Sequence, residues 1–496
     1  MTDLVLIIGA GPVGMTMASE LTRYGVAIRI VDKAAERTDK SKALVLWSRT
    51  LELLDRGGGT SAPFIEAGFK AEAVNFVAGS KVIGRVTMES VQSPYPYGLM
   101  LPQSDTERLL EQLLGAQGIT VERRVELITF TQRDDGVEAV LRHADGREET
   151  VSAVWLVGCD GAHSAVRHTL DASFTGETMD SDWILADVHM TGYPYLDSEA
   201  SVFWHHDGAF VIFPISPGRY RVVADLSPSG TEHPPTPTLE EAQAIIDRRG
   251  PPGLKAFDAI WLAGFRVNGR KVSQYRWGRV FLAGDAAHIH SPAGGQGMNT
   301  GMQDAFNLAW KLALVVRGIC CEELLDSYSP ERSHVDDEVL KSAGRLTAVG
   351  TMRNPVAQAV RNLVGHVMFG LSSVQHAFAE SMTEVTIGYP ESPLNGPSQG
   401  GAGPRPGERV APVAGQAAVG SGSAPRFALF ADKNAATTEL LGRFDGLLDP
   451  DIRPPLREGS IWLIRPDGYV ACSAKEQDII ADYLESLRLH GTARPI

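Results

Sequence analysis

The sequence predicts an α/β protein in which a helix-covered parallel sheet is interrupted by an inserted antiparallel sheet and followed by a small C-terminal unit. Three observations carry that reading. The chain opens as strand, glycine turn, helix and strand over Leu4–Ile8, Gly9–Gly14, Met15–Tyr24 and Ala27–Val31, the βαβ order that yields parallel neighbours. From about residue 175 to 270, short strands of period two take over. The opening style then returns, with an apolar strand, a glycine-rich loop and a long helix.

In the first part, residues 103–117 read as a helix, and Glu122–Thr131 and Gly136–Arg142 as alternating strands. Asp145-Gly146 is a turn signal before the apolar strand Val154–Val157. The inserted part reads as strands Ala200–His205, Ala209–Ile215, Arg219–Asp225 and Trp261–Val267, with one helix at Leu239–Arg249. In the returning part, strand Arg279–Ala283 precedes a helix whose Met298, Met302, Ala305, Ala309, Leu312 and Val316 form one stripe. Helical pattern continues to about Thr386. Residues 391–425 are rich in Gly, Pro, Ser and Ala and read as a linker or loosely packed loop. Strands Phe427–Phe430 and Ser460–Arg465 and a final helix over Lys475–Leu489 make up the tail. The expected units are therefore 1–175 with 270–390, the insert 176–269, the linker, and 426–496.

Composition excludes several classes of function. With 496 residues, 43% hydrophobic and 21% charged, the chain has the size and make-up of a multi-domain globular protein. Its formal charge of -14 argues against nucleic acid, whose binding needs Lys and Arg to neutralise phosphates. No basic amphipathic stretch invites an anionic membrane, and the apolar helical run Leu308–Val316 is broken by Lys311. Cys159, Cys320, Cys321 and Cys472 form no CxxC and no Cys/His cluster, so no metal site and no disulfide framework are expected. A reducing, cytoplasmic setting fits. The apolar start lacks a basic flank and reads as a strand, not a signal peptide.

Three motifs carry chemistry. In Gly9-x-Gly11-x-x-Gly14 the first glycine permits the turn, the second lets a pyrophosphate approach, and the third allows close helix packing. Free N–H groups and the dipole at the helix start favour the phosphates. Asp32 ends the next strand at the spacing of a ribose hydroxyl acceptor, which makes the unit Rossmann-type. The second motif runs from Val157 to Arg167 through Gly158-Cys159-Asp160-Gly161, where a strand meets a helix. Read alone, it is equally a capped helix start after a buried strand. The third runs Gly278-Arg279-Val280-Phe281-Leu282-Ala283-Gly284-Asp285 into Pro292-Ala293-Gly294-Gly295-Gln296-Gly297-Met298-Asn299. Asp285 ends an apolar strand, well placed to accept hydrogen bonds from a polyol. The loop opens a helix whose N–H groups would stabilise negative charge on a reduced flavin.

In this order, and with Leu325-Asp326-Ser327-Tyr328-Ser329-Pro330-Glu331-Arg332, the motifs resemble the class A FAD-dependent aromatic hydroxylases, on the phenol hydroxylase and aromatic polyketide hydroxylase branch. The resemblance runs to about residue 345. It implies that Gly9, Gly11, Gly14 and Asp32 hold the ADP half of FAD and that Asp285 holds its ribityl chain. It further implies cofactor contacts for Gln103, Arg49, Asp160 and Arg167. Pro292 and Gly295, with Gly297, Met298 and Asn299, would line the flavin ring where oxygen reacts. The implied reaction is reduction of FAD by NAD(P)H, addition of O2 at C4a, and transfer of one oxygen from the hydroperoxide to an electron-rich ring. A single GxGxxG agrees, since the family has no second dinucleotide-binding domain.

Lys42, in Ser41-Lys42-Ala43, stands where the family usually has Arg, which removes a planar fork for bidentate contact. The tail, with Arg465-Pro466-Asp467-Gly468-Tyr469-Val470, resembles the family's thioredoxin-like appendage without a CxxC, so a structural or assembly role is expected. Candidate substrate contacts are Trp204, Phe213 and Phe265 on the inserted strands and Tyr97 as a hydrogen-bonding edge, each equally at home as sheet core. His205, His206, His288 and His290 are weighed as bases and none is assigned. Epoxidation and Baeyer–Villiger insertion on a polyketide-like substrate are alternatives on the same scaffold, as is a non-catalytic flavin carrier. Halogenation is disfavoured, because Gly208–Pro214 lacks a tryptophan pair. The expected partners are a small aromatic molecule and O2, with a homodimer as the candidate assembly.

Overall fold

Five parallel strands and one antiparallel edge strand form the central sheet of the computed structural model, which describes residues 3–228, 234–413 and 415–488. Their order is Arg276–Trp277, Val280–Leu282, Trp155–Gly158, Val5–Ile8, Ile28–Asp32 and Glu122–Arg123. Val5–Ile8 is buried along its whole length, as a parallel strand covered on both faces must be. In register, Ile8 lies beside Val31 and Gly158, and Gly158 beside Leu282. All three sequence motifs therefore emerge at the carboxyl edge of one sheet, where ligands bind in open α/β folds.

Two helices start at that edge, Pro12–Arg23 and Gly297–Val316. Gly301 lets the second approach the first motif: a Cβ there would stand 2.8 Å from Val13 and 3.1 Å from the Gly284 backbone.

The inserted sheet has eight strands, and two 18-residue strands, Phe174–Thr191 and Lys255–Val272, pair toward one side of it. Beyond the strands read from the insert, it recruits Ala73–Ala78 and Lys81–Thr87 from the first part of the chain, with Ala73–Ala78 running parallel to Glu199–Trp204. Period-two alternation sorts its side chains. Phe210, Ile212, Tyr220 and Val222 pack toward helix Leu239–Arg249 through Ile246. Phe213 and Arg221, paired in register, lie on the opposite face with Asp187. That helix has the limits expected from sequence, set by a Thr238–Glu241 capping box and by Gly250.

Helices Tyr328–Gly350, Pro355–Phe369 and Ser372–Met382 follow. The described residues of 391–425 form no helix or strand, yet they pair with the tail: Gly396, Gln399 and Gly407 donate to Ala471, Ser473 and Val470 carbonyls at 2.8 Å. The tail comprises strands Ala428–Phe430, Ile461–Ile464 and Val470–Ala474 with helices Ala435–Arg443 and Gln477–Ser486. The helix read as far as Leu489 ends earlier, and Leu489 lies outside the described residues. Among the described residues no helix is long and apolar enough to cross a membrane, and none of the four cysteines is in a disulfide.

A buried polar knot ties tail to core. Glu331 receives Lys311 Nζ at 2.7 Å, Arg465 Nη1 at 2.7 Å, Asn307 Nδ2 at 2.7 Å and Ser392 Oγ at 2.5 Å. Arg465 also reaches Asp467, which accepts from the Trp310 indole at 3.1 Å.

Candidate functional site

The first glycine turn is built tightly on one side and left open on the other. Gly9 has φ +99° and packs against the Cys159 backbone, while a Cβ on Gly14 would collide with the Gly9 carbonyl. A Cβ on Gly11 would meet nothing within 4 Å. Gly11 caps the helix Pro12–Arg23 with no side-chain hydrogen bond, so the first N–H groups of the helix face that open space. Asp32 shapes the turn from the next strand, accepting Ala10 N–H at 2.6 Å and Ala34 N–H at 2.7 Å.

The second motif is a brace between strands. Ser164 donates to Asp160 at 2.5 Å and caps its helix by accepting Arg167 N–H at 2.9 Å. Arg167 donates onward to the Ala162 and Ala286 carbonyls at 2.7 and 3.1 Å, which locks this motif to the third. Burial pushes the Asp160 carboxyl above its usual pKa, against the hydrogen bonds from Ser164 and Val166.

In the third motif Asp285 is solvent-reachable yet crowded by protein, as a group on the floor of a cleft is. Burial pushes its carboxyl up, while His288 and Lys42 pull it down. His288 donates to Asp304 at 2.7 Å and faces Asp336 at 3.5 Å. Burial opposes its charge, but Asp336 and Asp304 outweigh burial and raise His288 to about 9. Burial, reinforced by the His288 charge, lowers the adjacent His290 to about 4. At neutral pH the two stacked rings are one cation and one neutral base. Arg332 completes this group through Asp304 at 2.6 Å.

The loop Pro292–Asn299 is held open by its own backbone. Gly295 N–H donates to the Pro292 carbonyl at 2.9 Å, with Gly294 and Gly295 at φ +87° and +64°. Asn299 is stitched to the first part of the chain, donating to the Val45 carbonyl at 2.9 Å and accepting Trp47 N–H at 2.8 Å. The Trp47 indole donates to the Gly294 carbonyl at 3.0 Å. Gly297 lies against the His290 ring, and Met298 is half-buried against the main core.

Gln103 heads the helix Gln103–Ala116 and accepts Ala43 N–H at 3.2 Å, so it holds the Lys42 segment. Lys42 itself is exposed, and its carbonyl receives Arg221 Nη1 at 3.1 Å. Arg49 is engaged elsewhere: it is buried, pairs with Glu52 at 3.0 Å, donates to the Asp467 carbonyl at 2.5 Å and lies over Tyr469.

Of the four aromatic candidates, the structure brings two together. Trp204 and Phe213 share an apolar cluster with Val45 and Trp47, which reaches the glycine loop. Phe265 packs against Trp183 in a separate cluster, and Tyr97 belongs to the main core beneath Lys70. Sequence reasoning missed Arg221 and Asp187. This buried pair, at 2.7 and 2.9 Å, sits beside Phe213 and connects the inserted sheet to the Lys42 segment. Only the strand register shows it, because the two residues are far apart in the chain.

These features fit a dinucleotide with a polyol arm: an open helix start beside Gly11, an acceptor at Asp32, and a second acceptor at Asp285 on the cleft floor. A family model described as FAD binding domain matches residues 2–343. The chain is 37% identical to 6-methylpretetramide 4-monooxygenase of Streptomyces rimosus, over 95% of this chain and 90% of that protein. It is 35% identical to rifampicin monooxygenase of Streptomyces venezuelae, over 78% and 79% of the two chains. It also superposes on the structure of OxyS anhydrotetracycline hydroxylase from Streptomyces rimosus with a TM-score of 0.77 and 29% identity, covering 97% and 98% of the chains.

Proposed function

This chain belongs to the FAD-binding-domain family of class A aromatic monooxygenases, and we propose that it uses NAD(P)H and O2 to hydroxylate a phenolic or polycyclic aromatic substrate. The observation that carries the reading is the meeting of three motifs at one sheet edge, facing an aromatic-lined strand surface. The tetracycline-type and rifampicin relatives support a large, oxygenated polyketide-like ring system. Bound FAD supplies the redox chemistry, taking electrons from the nicotinamide and activating O2.

The protein's own residues do the rest. Gly11 and the helix start receive the pyrophosphate, Asp32 the ribose, and Asp285 the ribityl hydroxyls. Pro292, Gly295 and Gly297–Asn299 offer the ring a backbone surface, and the start of helix Gly297–Val316 favours negative charge on it. Asp160 and Arg167 act through the backbone, holding the loops apart at the right spacing. Val45, Trp47, Phe213 and Trp204 present an apolar wall that keeps water from the reacting centre.

The test is NADH and NADPH oxidation by the FAD-loaded protein across phenols and polycyclic quinones, with H2O2 measured alongside. Substrate-stimulated oxidation with little H2O2 is expected. Flavin that stays oxidised with both nucleotides and every aromatic would sink the reading.

A second copy of this chain is the partner that the outer face of helix Pro355–Phe369 fits. Val356, Val360, Leu363, Val364 and Val367 are each more than half exposed there. Arg361, the one Lys, Arg, Asp or Glu between residues 354 and 372, is buried, so the patch carries no charge to attract an anionic membrane or a charged partner. Such a stripe exposes on the order of 500–600 Å² of apolar surface. Two copies meeting isologously would bury about 1,200 Å², enough for a small stable interface. Light scattering should report a dimer that Leu363→Glu converts to monomer. A monomeric wild type at micromolar concentration excludes this assembly.

A further inference from the structure

Eight arginines are buried among the described residues, and seven of them have a carboxylate. Six are ion-paired: Arg49 with Glu52, Arg56 with Glu20, Arg221 with Asp187, Arg249 with Asp225, Arg332 with Asp304 and Arg465 with Glu331. Arg167 lies beside Asp160. Arg361 is the exception.

Arg361 is 7% exposed, on the inner side of helix Pro355–Phe369, and no carboxylate faces it. Its Nε donates to the Asn362 amide oxygen at 3.1 Å and its Nη1 to the Val349 carbonyl at 3.0 Å, while Nη2 has no partner among the described residues. The guanidinium lies 4.9 Å from the centre of the Trp204 ring. The helix comes this close because residue 365 is glycine: a Cβ there would stand 2.7 Å from the Trp204 ring. Burying a cation without a counter-charge carries a desolvation cost, and burial alone lowers the pKa of this arginine. Elsewhere the fold meets that cost with an acid. Here it provides an aromatic face and leaves donors unused.

The surroundings describe the missing acid. Trp204 is 5.9 Å from Phe76 and 6.5 Å from Phe369, and Phe76 and Phe369 stack at 4.4 Å. The same apolar cluster continues through Phe213 to Val45 and Trp47 beside the glycine loop. A flat ring system entering from the loop along this wall meets a cation without a carboxylate at Arg361. We infer that Arg361 is the anchor for an acidic oxygen of the substrate, a carboxylate, phenolate or enolate carried on an aromatic ring that packs against Trp204. This deepens the monooxygenase reading and rests on it for the identity of the site. Arg361 acts in binding and orientation, setting which ring position is presented to the reacting centre.

The experiment is binding to the FAD-loaded protein without nucleotide, followed by the change in flavin absorbance. Two probes share one ring and one hydroxyl: 1-hydroxy-2-naphthoate, an anion, and 1-hydroxy-2-naphthamide, which is neutral. Wild type should prefer the acid. Arg361→Met should weaken the acid on the order of tenfold to a hundredfold, as loss of a charged hydrogen bond does, and leave the amide unchanged. Arg361→Lys should recover part of the loss, because it keeps the charge without the fork. Removing an uncompensated buried cation should also leave the melting temperature unchanged or raised, whereas a purely structural arginine would lower it. Equal loss on both probes, or a wild type that binds the amide as tightly as the acid, overturns the inference. Because no turnover is read, a protein that binds selectively yet never hydroxylates separates failure of the reaction from failure of the anchor.

Discussion

Glu331→Gln should be among the most destabilising single changes in this chain, costing about 3–5 kcal/mol. The carboxylate is the sole acceptor common to Lys311, Arg465, Asn307 and Ser392, and all of these side chains are buried. Glutamine keeps the shape but turns one acceptor into a donor aimed at other donors, and it leaves two cations sharing Asp467. Burial opposes the Glu331 charge, but Arg465 and Lys311 hold the carboxyl far below its ordinary pKa. The sign follows: this stabilisation is present above the unfolded pKa of about 4.3 and is lost as pH falls toward the folded value. Lys311 has the same sign of dependence in a higher pH window. Burial lowers it to about 8, so its contribution to stability improves as pH rises from there toward its unfolded value. Because the knot joins helices Gly297–Val316 and Tyr328–Gly350 to the tail, the variant should also expose residues 391–425 to limited proteolysis. Thermal melts and protease digests at pH 7 check both effects. Unchanged melting and unchanged cleavage would mean the knot contributes no net stability.

What was legible in the sequence is what the chain does locally. Gly9, Gly11, Gly14 and Asp32 lie within one βαβ unit, so their spacing alone fixes their geometry. Helix Leu239–Arg249 was equally legible, with a cap at one end and glycine at the other. The remainder depends on partners far along the chain. Strand Ala73–Ala78 completes the inserted sheet by pairing with residues more than a hundred positions away. Arg49 looked like a cofactor contact by motif, yet its acceptor is the carbonyl of Asp467. Residues 391–425 have the composition of a loose linker but form backbone hydrogen bonds along Val470–Ala474, because Gly and Pro disfavour regular elements without preventing edge pairing. Nothing around Arg361 in the sequence marks it as unpaired. That becomes visible only when every other buried arginine is seen with its acid.

The glycine turn yields the largest expected effect on the cofactor, and its geometry separates two kinds of failure. Gly11→Val should abolish FAD retention while leaving the apoprotein folded. Gly11 has φ −77° and ψ −174°, an extended conformation open to any residue, and a Cβ added there meets no protein atom within 4 Å. The structural penalty is the loss of a favourable capping residue, about 1 kcal/mol or less. The isopropyl group would instead fill the space in front of the helix start, which the pyrophosphate must enter. Gly14→Val differs: its Cβ collides with the Gly9 carbonyl, so the turn itself must move and the fold suffers with the cofactor site. The 450 nm absorbance of the purified proteins relative to 280 nm reports occupancy, and the melting temperature of FAD-stripped samples reports the fold. Gly11→Val should lose the first and keep the second, whereas Gly14→Val should lose both. A Gly11→Val protein that purifies yellow would place the pyrophosphate away from this helix start, and with it the roles assigned to Asp32 and Asp285.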